Sequence, residues 1–195
     1  MQTKFWMFSN AGESHEPSRE GYRCMIEEFG EEPPHNMKWE HIEAIWCGRV
    51  VMNWMNDLVV RCDDPGPLED MPWASVHIVS DRLRVLLETC APACAQYLQI
   101  VLRQYDNTPT SERYWIANWT HIVECLNDEL SHCVVDAGPY SEFDRMVIDA
   151  SKIPLDMPIC RMKRSTNTVV VRDDIRRTII NSGMTGCQFY TIEQM

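Results

Sequence analysis

An internal repeat constrains the fold of this 195-residue chain more than any other feature of its sequence. Residues 76–100 align without a gap against residues 168–192. The matched pairs of identical or similar residues are Ile78/Val170, Val79/Val171, Asp81/Asp173, Leu83/Ile175, Arg84/Arg176, Leu87/Ile179, Gln96/Gln188, Tyr97/Phe189 and Ile100/Ile192. A repeat at a fixed offset indicates that one supersecondary unit occurs twice, so the fold must accommodate both copies. The alternative is chance similarity between two units of the same general kind.

Each copy of the repeat begins with a predicted strand that leads directly into a helix. The runs Val76–Val79 and Val169–Val171 are β-branched, and such side chains pack well on a pleated sheet. Polar residues follow both runs, where a side-chain oxygen can accept a hydrogen bond from a free helical N–H. We therefore predict N-caps at Ser80 or Asp81 in the first copy and at Asp173 in the second.

The middle of each copy has the spacing of a short amphipathic helix. Leu83, Leu86 and Leu87 stand at positions i, i+3 and i+4, which places them on one helix face. The first helix is expected to end before Pro92, and Gly183 is suited to the left-handed position after the second helix. A second strand with an aromatic residue should then complete each strand–helix–strand unit.

Three stretches of the chain resemble a known bacterial family. They are Val79-Ser80-Asp81-Arg82 in the first copy, Tyr114-Trp115-Ile116-Ala117-Asn118-Trp119 followed by Val123-Glu124-Cys125-Leu126-Asn127 in the middle, and Gly183-Met184-Thr185-Gly186-Cys187-Gln188-Phe189 in the second copy. In these motifs the chain is similar to immunity protein family eleven of polymorphic toxin systems. It departs from the usual family pattern at Asp81 (usually Glu), at Asn127 (usually Asp) and at Met184 (usually Leu). The resemblance covers about Trp73 to Ile192 and implies a protein that binds a toxin and has no catalytic residues of its own.

The remaining patterns favour an α+β fold with a mixed sheet and short helices. We predict an acidic N-terminal region at residues 1–72, packed on an immunity-family α+β domain at residues 73–195. Met1–Phe8 alternates weakly, as an edge strand does, and Trp39–Trp46 has near-helical spacing. Tyr114–Trp119 is a predicted strand, and His121–Leu130 is a predicted helix.

Charge is distributed unevenly along the chain. The net charge is −11, and residues 1–71 hold fourteen Asp or Glu against six Lys or Arg. An acidic protein is a poor ligand for nucleic acid, because binding of phosphate groups needs clustered Lys and Arg. Acidity favours a basic protein partner, although it also simply aids solubility.

The acidic stretches of the N-terminal part supply the candidate residues for binding a toxin domain. Loops on a rigid scaffold are where recognition residues usually lie, and one predicted loop surrounds Pro65-Gly66-Pro67. The candidate partner-binding residues are Glu27, Glu28, Glu31, Glu32, Asp63, Asp64, Glu69 and Asp70.

Two other classes of function stay open at this stage. His121 and Cys125 could share a metal with His132, Cys133, Cys90 or Cys94, which would suggest a Cys/His or metal-dependent enzyme. The repeat could instead provide a self-association surface of a scaffold protein. We predict neither alternative, and we expect no cofactor and no metal. Without an apolar N-terminal segment or a long apolar run, we expect a cytoplasmic protein that does not cross a membrane.

Overall fold

The fold was analysed in a computed structural model that describes residues 3–10, 24–26, 39–56, 58–62, 66–72, 74 and 76–195. The helices are α1 (Trp39–Trp46), α2 (Asp81–Cys90) and α3 (Asp173–Asn181). The strands are β1 (Phe5–Asn10), β2 (Cys24–Ile26), β3 (Val59–Cys62), β4 (Ile78–Ser80), β5 (Ala95–Arg103), β6 (Tyr114–Trp119), β7 (Ile122–Val123), β8 (His132–Val135), β9 (Glu142–Arg145), β10 (Val147–Ile148), β11 (Ile159–Met162), β12 (Ser165–Arg172), β13 (Cys187–Thr191) and β14 (Glu193–Gln194). This content confirms the α+β class with short helices.

Both copies of the repeat form the predicted strand–helix–strand unit. The first copy consists of β4, α2 and β5, and the second consists of β12, α3 and β13. One five-stranded sheet has the order β2-β3-β5-β6-β4, and the other has the order β13-β1-β12-β11-β7. In each unit the two strands of the copy therefore lie on either side of a third strand, to which both are antiparallel.

The two inserted strands, β6 and β1, occupy equivalent positions although they come from distant parts of the chain. Val79 of β4 lies opposite Trp115 of β6, and its repeat partner Val171 lies opposite Trp6 of β1. The register agrees at the far end, where Gln96 is opposite Asn118 and Gln188 is opposite Ser9. Each unit therefore contains three strands. The middle strand of the first unit, β6, follows the first copy in sequence, whereas the middle strand of the second unit, β1, precedes the second copy.

Helices α2 and α3 bury the same positions of the repeat against a shared core. Leu83 and Leu87 of α2 and Ile175 and Ile179 of α3 are fully or almost fully buried in one hydrophobic cluster. Helix α2 begins as predicted, because Ser80 accepts a 3.1 Å hydrogen bond from the amide of Leu83. Gly183, after α3, has φ 65°, which confirms the predicted left-handed position.

The opposite face of each unit is covered by elements outside the repeat. Helix α1, predicted from its spacing, packs with β3 and the outer residues of β4, β5 and β6 in a second cluster. A third cluster joins β1 and β12 to the segment from Val123 to Ile153. No helix formed by the described residues is long and apolar enough to cross a membrane.

Three local predictions are wrong. His121–Leu130 is not a helix: Ile122 and Val123 pair with β11, and the Asn127 side chain accepts hydrogen bonds from the amides of Glu129 and Leu130 in a turn. Strand β1 is not an edge strand, because it is hydrogen-bonded to β12 on one side and β13 on the other. Asp173 does not cap α3; Arg172 is the N-cap residue and makes no side-chain cap.

The division at residue 72 is not tested by these contacts, and it stays a prediction. Strand β1 is the middle strand of the second unit, and β3 pairs in parallel with β5 of the first unit. Both strands belong to sheets that contain the C-terminal part of the chain.

Candidate functional site

The predicted partner-binding residues fall into two groups. Glu27, Glu28, Glu31, Glu32, Asp63 and Asp64 lie outside the described residues. Glu69 and Asp70 are described, and they lie at the junction between the two repeat units. Glu69 is half-buried, and burial followed by the charge of Asp70 raises the pKa of its carboxyl group.

Asp70 is a buried carboxylate whose contacts are all within the protein. Its Oδ1 accepts a 2.7 Å hydrogen bond from Ser80 Oγ, and its Oδ2 accepts 2.6 Å and 2.9 Å bonds from Arg82 Nη2 and the Thr185 amide. Burial by itself raises the pKa of Asp70, but the hydrogen bonds from Arg82, Thr185 and Ser80 outweigh it and hold the pKa below its usual value. Ser80 and Arg82 belong to the first unit and Thr185 to the second, so Asp70 joins the two units.

The Gly-Met-Thr-Gly motif of the second unit is shaped for this junction. Gly186 has φ 74°, and a Cβ atom there would lie 2.2 Å from the carbonyl oxygen of Met71. The amide of Met71 donates to the carbonyl of Thr185, and the guanidinium of Arg82 donates to the carbonyl of Gly183. Two of the motifs that carry the family resemblance therefore contact each other directly and through Asp70 and Met71. We call this set of contacts the inter-repeat junction.

A Trp–Asp–Arg trio occurs once in each repeat unit. Trp115 donates its indole N–H to Asp81 at 3.0 Å, and Arg84 bonds Asp81 and lies 4.8 Å from the Trp115 ring centroid. In the second unit, Trp6 donates to Asp173 at 2.9 Å, and Arg176 lies 4.0 Å from the Trp6 ring centroid. The carboxylate predicted as a cap in the second unit instead receives a tryptophan from the middle strand. The sequence repeat contains the Asp and the Arg of each trio, but both tryptophans lie outside the repeat. Trp115 follows its Asp in sequence and Trp6 precedes its Asp, so an alignment of the two copies does not pair the tryptophans.

A cavity of about 650 Å³ lies beside α1. Its wall includes Ile42, Ile45 and Trp46 of α1, Ala74 and Val76 before β4, and the polar residues Glu43, His77, Tyr140, Arg161 and Asn167. We call it the α1 cavity. Apolar walls with a few converging polar groups are typical of small-ligand sites.

Arg161 and His77 dominate the chemistry of the α1 cavity. The Arg161 guanidinium is buried and donates to the carbonyls of Trp119, Thr166 and Ile45. Burial lowers the pKa of Arg161 to about 10, so it stays charged at neutral pH. Burial, and then the charge of Arg161, lowers the pKa of His77 to about 3, so the imidazole is neutral.

A segment that contributes Tyr140 to the wall of the α1 cavity combines acids with exposed apolar side chains. Residues 124–144 contain six Asp or Glu and no Lys or Arg. The segment includes the β8–β9 hairpin, and its apolar residues Leu130, Val134, Val135 and Tyr140 are 40–61% exposed. Asp128 and Asp136 pair with Arg164, whereas no side-chain partner of Glu129 or Glu142 is found among the described residues. We call residues 124–144 the acidic hairpin segment; nothing in the sequence analysis singled it out.

The cysteines and histidines considered as metal ligands do not converge. Within the described part of the chain, no three His, Cys, Asp or Glu side chains are grouped closely enough to hold a metal ion. Eight of the nine cysteines are free: Cys47, Cys62, Cys90, Cys94, Cys125, Cys133, Cys160 and Cys187. Cys125 is buried, and burial raises the pKa of its thiol to about 11, which makes it a weak nucleophile at neutral pH.

Comparison with known proteins adds one match. Residues 52–194, well over half of the chain, match the model of a protein family described as an immunity protein family (Imm11). The match begins about twenty residues before Trp73, where the resemblance to the family begins. It includes both repeat units apart from β1. No curated protein matches the chain.

Proposed function

The chain belongs to the immunity protein family Imm11, and we propose that it binds a cognate bacterial toxin domain and neutralises it by covering a surface of that domain. Family membership is the observation that carries this proposal. The proposed mechanism is binding without catalysis, and its proposed setting is the cytoplasm, where free thiols such as those of this chain persist.

The charge of the chain supports a basic toxin surface as the partner. An excess of eleven negative charges raises the rate of encounter with a basic protein and disfavours acidic competitors. We propose that Glu27, Glu28, Glu31, Glu32, Asp63, Asp64 and Glu69 contribute to the contact surface. Asp70 is proposed to contribute indirectly, because its carboxylate is occupied within the inter-repeat junction.

The acidic hairpin segment is a second proposed part of the contact surface. Its exposed Val134 and Tyr140 supply apolar area beside free carboxylates, a combination typical of interface centres and their polar rims. A second copy of this acidic chain is a poorer occupant than a basic toxin, because like charges would face each other across the contact.

Charge reversal tests the proposed surface. We expect the set Glu27→Lys, Glu28→Lys, Asp63→Lys and Asp64→Lys to weaken toxin binding by about tenfold or more and to make binding less sensitive to salt. The set Glu129→Lys and Glu142→Lys tests the hairpin segment in the same way. Calorimetric titration with the toxin domain at two salt concentrations gives both quantities.

The matched control is Glu112→Lys with Asp156→Lys, which changes net charge as much as the hairpin set does, at exposed positions outside both surfaces. Its effect measures the loss of long-range attraction alone. If the hairpin set and this control weaken binding equally, the hairpin is not part of the contact. If the variant with Lys at positions 27, 28, 63 and 64 binds the toxin domain with wild-type affinity, these four positions are not part of the contact.

A further inference from the structure

The α1 cavity contains a buried positive charge, that of Arg161, which no carboxylate of the described residues neutralises. Within the described part of the chain, no carboxylate lies within ion-pair distance of Arg161, and its three hydrogen bonds all go to backbone carbonyls. A buried cation is costly unless it is paired, and carbonyl dipoles compensate it only in part. The site therefore favours an anion more strongly than a surface arginine does.

Hydrogen-bond donors remain available on that charge. A guanidinium has five N–H groups. In Arg161 each of the three nitrogens donates one N–H: Nε to the carbonyl of Trp119, Nη1 to that of Thr166 and Nη2 to that of Ile45. One N–H on each terminal nitrogen is left over. These two groups belong to the planar fork that matches the two oxygens of a carboxylate.

His77 adds a further donor through its fixed tautomer. The indole N–H of Trp119 donates to Nδ1 of His77, so this nitrogen carries no proton. A neutral imidazole then has its proton on Nε2, which makes that nitrogen a donor. Asn167, also on the cavity wall, offers an amide group.

The remaining wall decides what kind of molecule carries the anion. Ile42, Ile45, Trp46, Ala74 and Val76 make most of the lining apolar. Glu43, the only acid on the described wall, is exposed and pairs with Arg49 at 2.9 Å, so its charge is balanced at the rim. One buried cation and an apolar wall suit a singly charged carboxylate on a hydrophobic body better than a multiply charged phosphate.

We propose that the α1 cavity binds a carboxylate attached to an apolar or aromatic body, with Arg161 and His77 as its hydrogen-bond donors. This site goes beyond toxin binding by the acidic surface. The carboxylate can come from a free small acid or from a polypeptide, through an Asp, a Glu or a chain terminus.

The test uses matched acids and amides with the full chain. Octanoate and phenylacetate are titrated by ligand-detected NMR and by intrinsic tryptophan fluorescence, in parallel with the uncharged octanamide and phenylacetamide. We expect saturable binding of at least one acid at millimolar concentration and binding weaker by about tenfold or more for its amide, because charge-assisted hydrogen bonds are lost. Saturation by neither acid, or equal binding of acid and amide, would overturn the proposal.

A filling variant locates the binding. Asn167→Phe places bulk in the cavity at an exposed position and leaves the three hydrogen bonds of Arg161 intact. Asn181→Phe makes the same exchange at the end of α3, which contributes no residue to the described wall. We expect about tenfold weaker acid binding in the first and wild-type binding in the second. Equal binding in both variants would place the acid elsewhere and contradict the proposal.

A final titration separates the two sources of the carboxylate. If octanoate and the toxin domain compete for the chain, the toxin supplies a carboxylate to the cavity. If octanoate binds equally well to the complex, the natural occupant is a small acid. This arm rests on toxin binding, whereas the acid–amide comparison does not, so the two proposals fail independently.

Discussion

At the scale of single residues, Gly186 shows how a short motif can be required by a contact rather than by chemistry. Its backbone is in the left-handed region, and the Met71 carbonyl stands where a side chain would begin. Gly183, three residues earlier, has nearly the same φ but has no atom within 4 Å of its Cβ direction. A side chain at Gly183 would therefore meet only backbone strain, whereas a side chain at Gly186 would meet both backbone strain and a steric clash at the inter-repeat junction.

Alanine substitution at these two glycines should have unequal effects. Gly183→Ala should lower the free energy of unfolding by about 1 kcal/mol, the usual strain of a left-handed alanine. Gly186→Ala should lower it by about 2–4 kcal/mol, because the added Cβ also pushes away the Met71 carbonyl and the Glu69 side chain. Urea denaturation of both variants measures the difference. Equal losses would mean that the inter-repeat junction accommodates the added Cβ without cost, and that the contact with Met71 does not require glycine at position 186.

Asp70 marks the limit of what sequence reasoning could predict of the site. Its place in a polar, proline-rich loop suggested an exposed carboxylate, and that inference used only neighbouring residues. The groups that hold it, Arg82 and Thr185, are 12 and 115 residues away in sequence. Contacts of such separation leave no local pattern, so its structural role could not be inferred without the fold. Arg161 was missed for the same reason, since two of its three acceptors, the carbonyls of Trp119 and Ile45, are 42 and 116 residues away in sequence.

At the scale of elements, the predictions succeeded where the signal is local. Helices α2 and α3 and the strands beside them follow from β-branched runs, apolar spacing and the breaks at Pro92 and Gly183. The predictions failed at β7, where pairing with β11 overrides a helical spacing. They also missed that β1 is a middle strand. Whether a strand lies in the middle or at the edge of a sheet depends on which distant strands pair with it, and its own residues do not show this.

The position of β1 leads to a prediction about the family-matched segment. Residues 52–194 contain β12 and β13 but lack β1, which pairs with both and buries Phe5 and Phe8. A chain of residues 52–194 should therefore lose cooperative thermal unfolding, because two strands and one core face are left uncovered.

Adding a peptide of residues 1–12 in excess should restore part of the transition, whereas the same peptide with Phe8→Asp should not. Calorimetry with and without each peptide measures this. A cooperative transition of the segment alone at the temperature of the full chain would show that β1 is dispensable and would support a separable N-terminal region.

At the scale of the whole molecule, the duplication provides the scaffold of the fold. The inter-repeat junction joins the two units, and the Trp–Asp–Arg trio of each unit links its helix to its middle strand. What remains for recognition lies mostly outside the repeat: the N-terminal acids, the acidic hairpin segment and the α1 cavity, to which the repeat contributes Val76 and His77. This separation fits a protein that keeps one fold while its contact surfaces vary with the partner.

The most direct test of the central claim is a titration of the cognate toxin domain with this chain, in which toxin activity and complex formation are measured in the same samples. Binding without catalysis predicts that activity falls in proportion to the chain added and vanishes near one equivalent, together with appearance of a stable complex. Inactivation of the toxin by a small fraction of an equivalent, with no complex formed, would contradict the account and assign the chain a catalytic role.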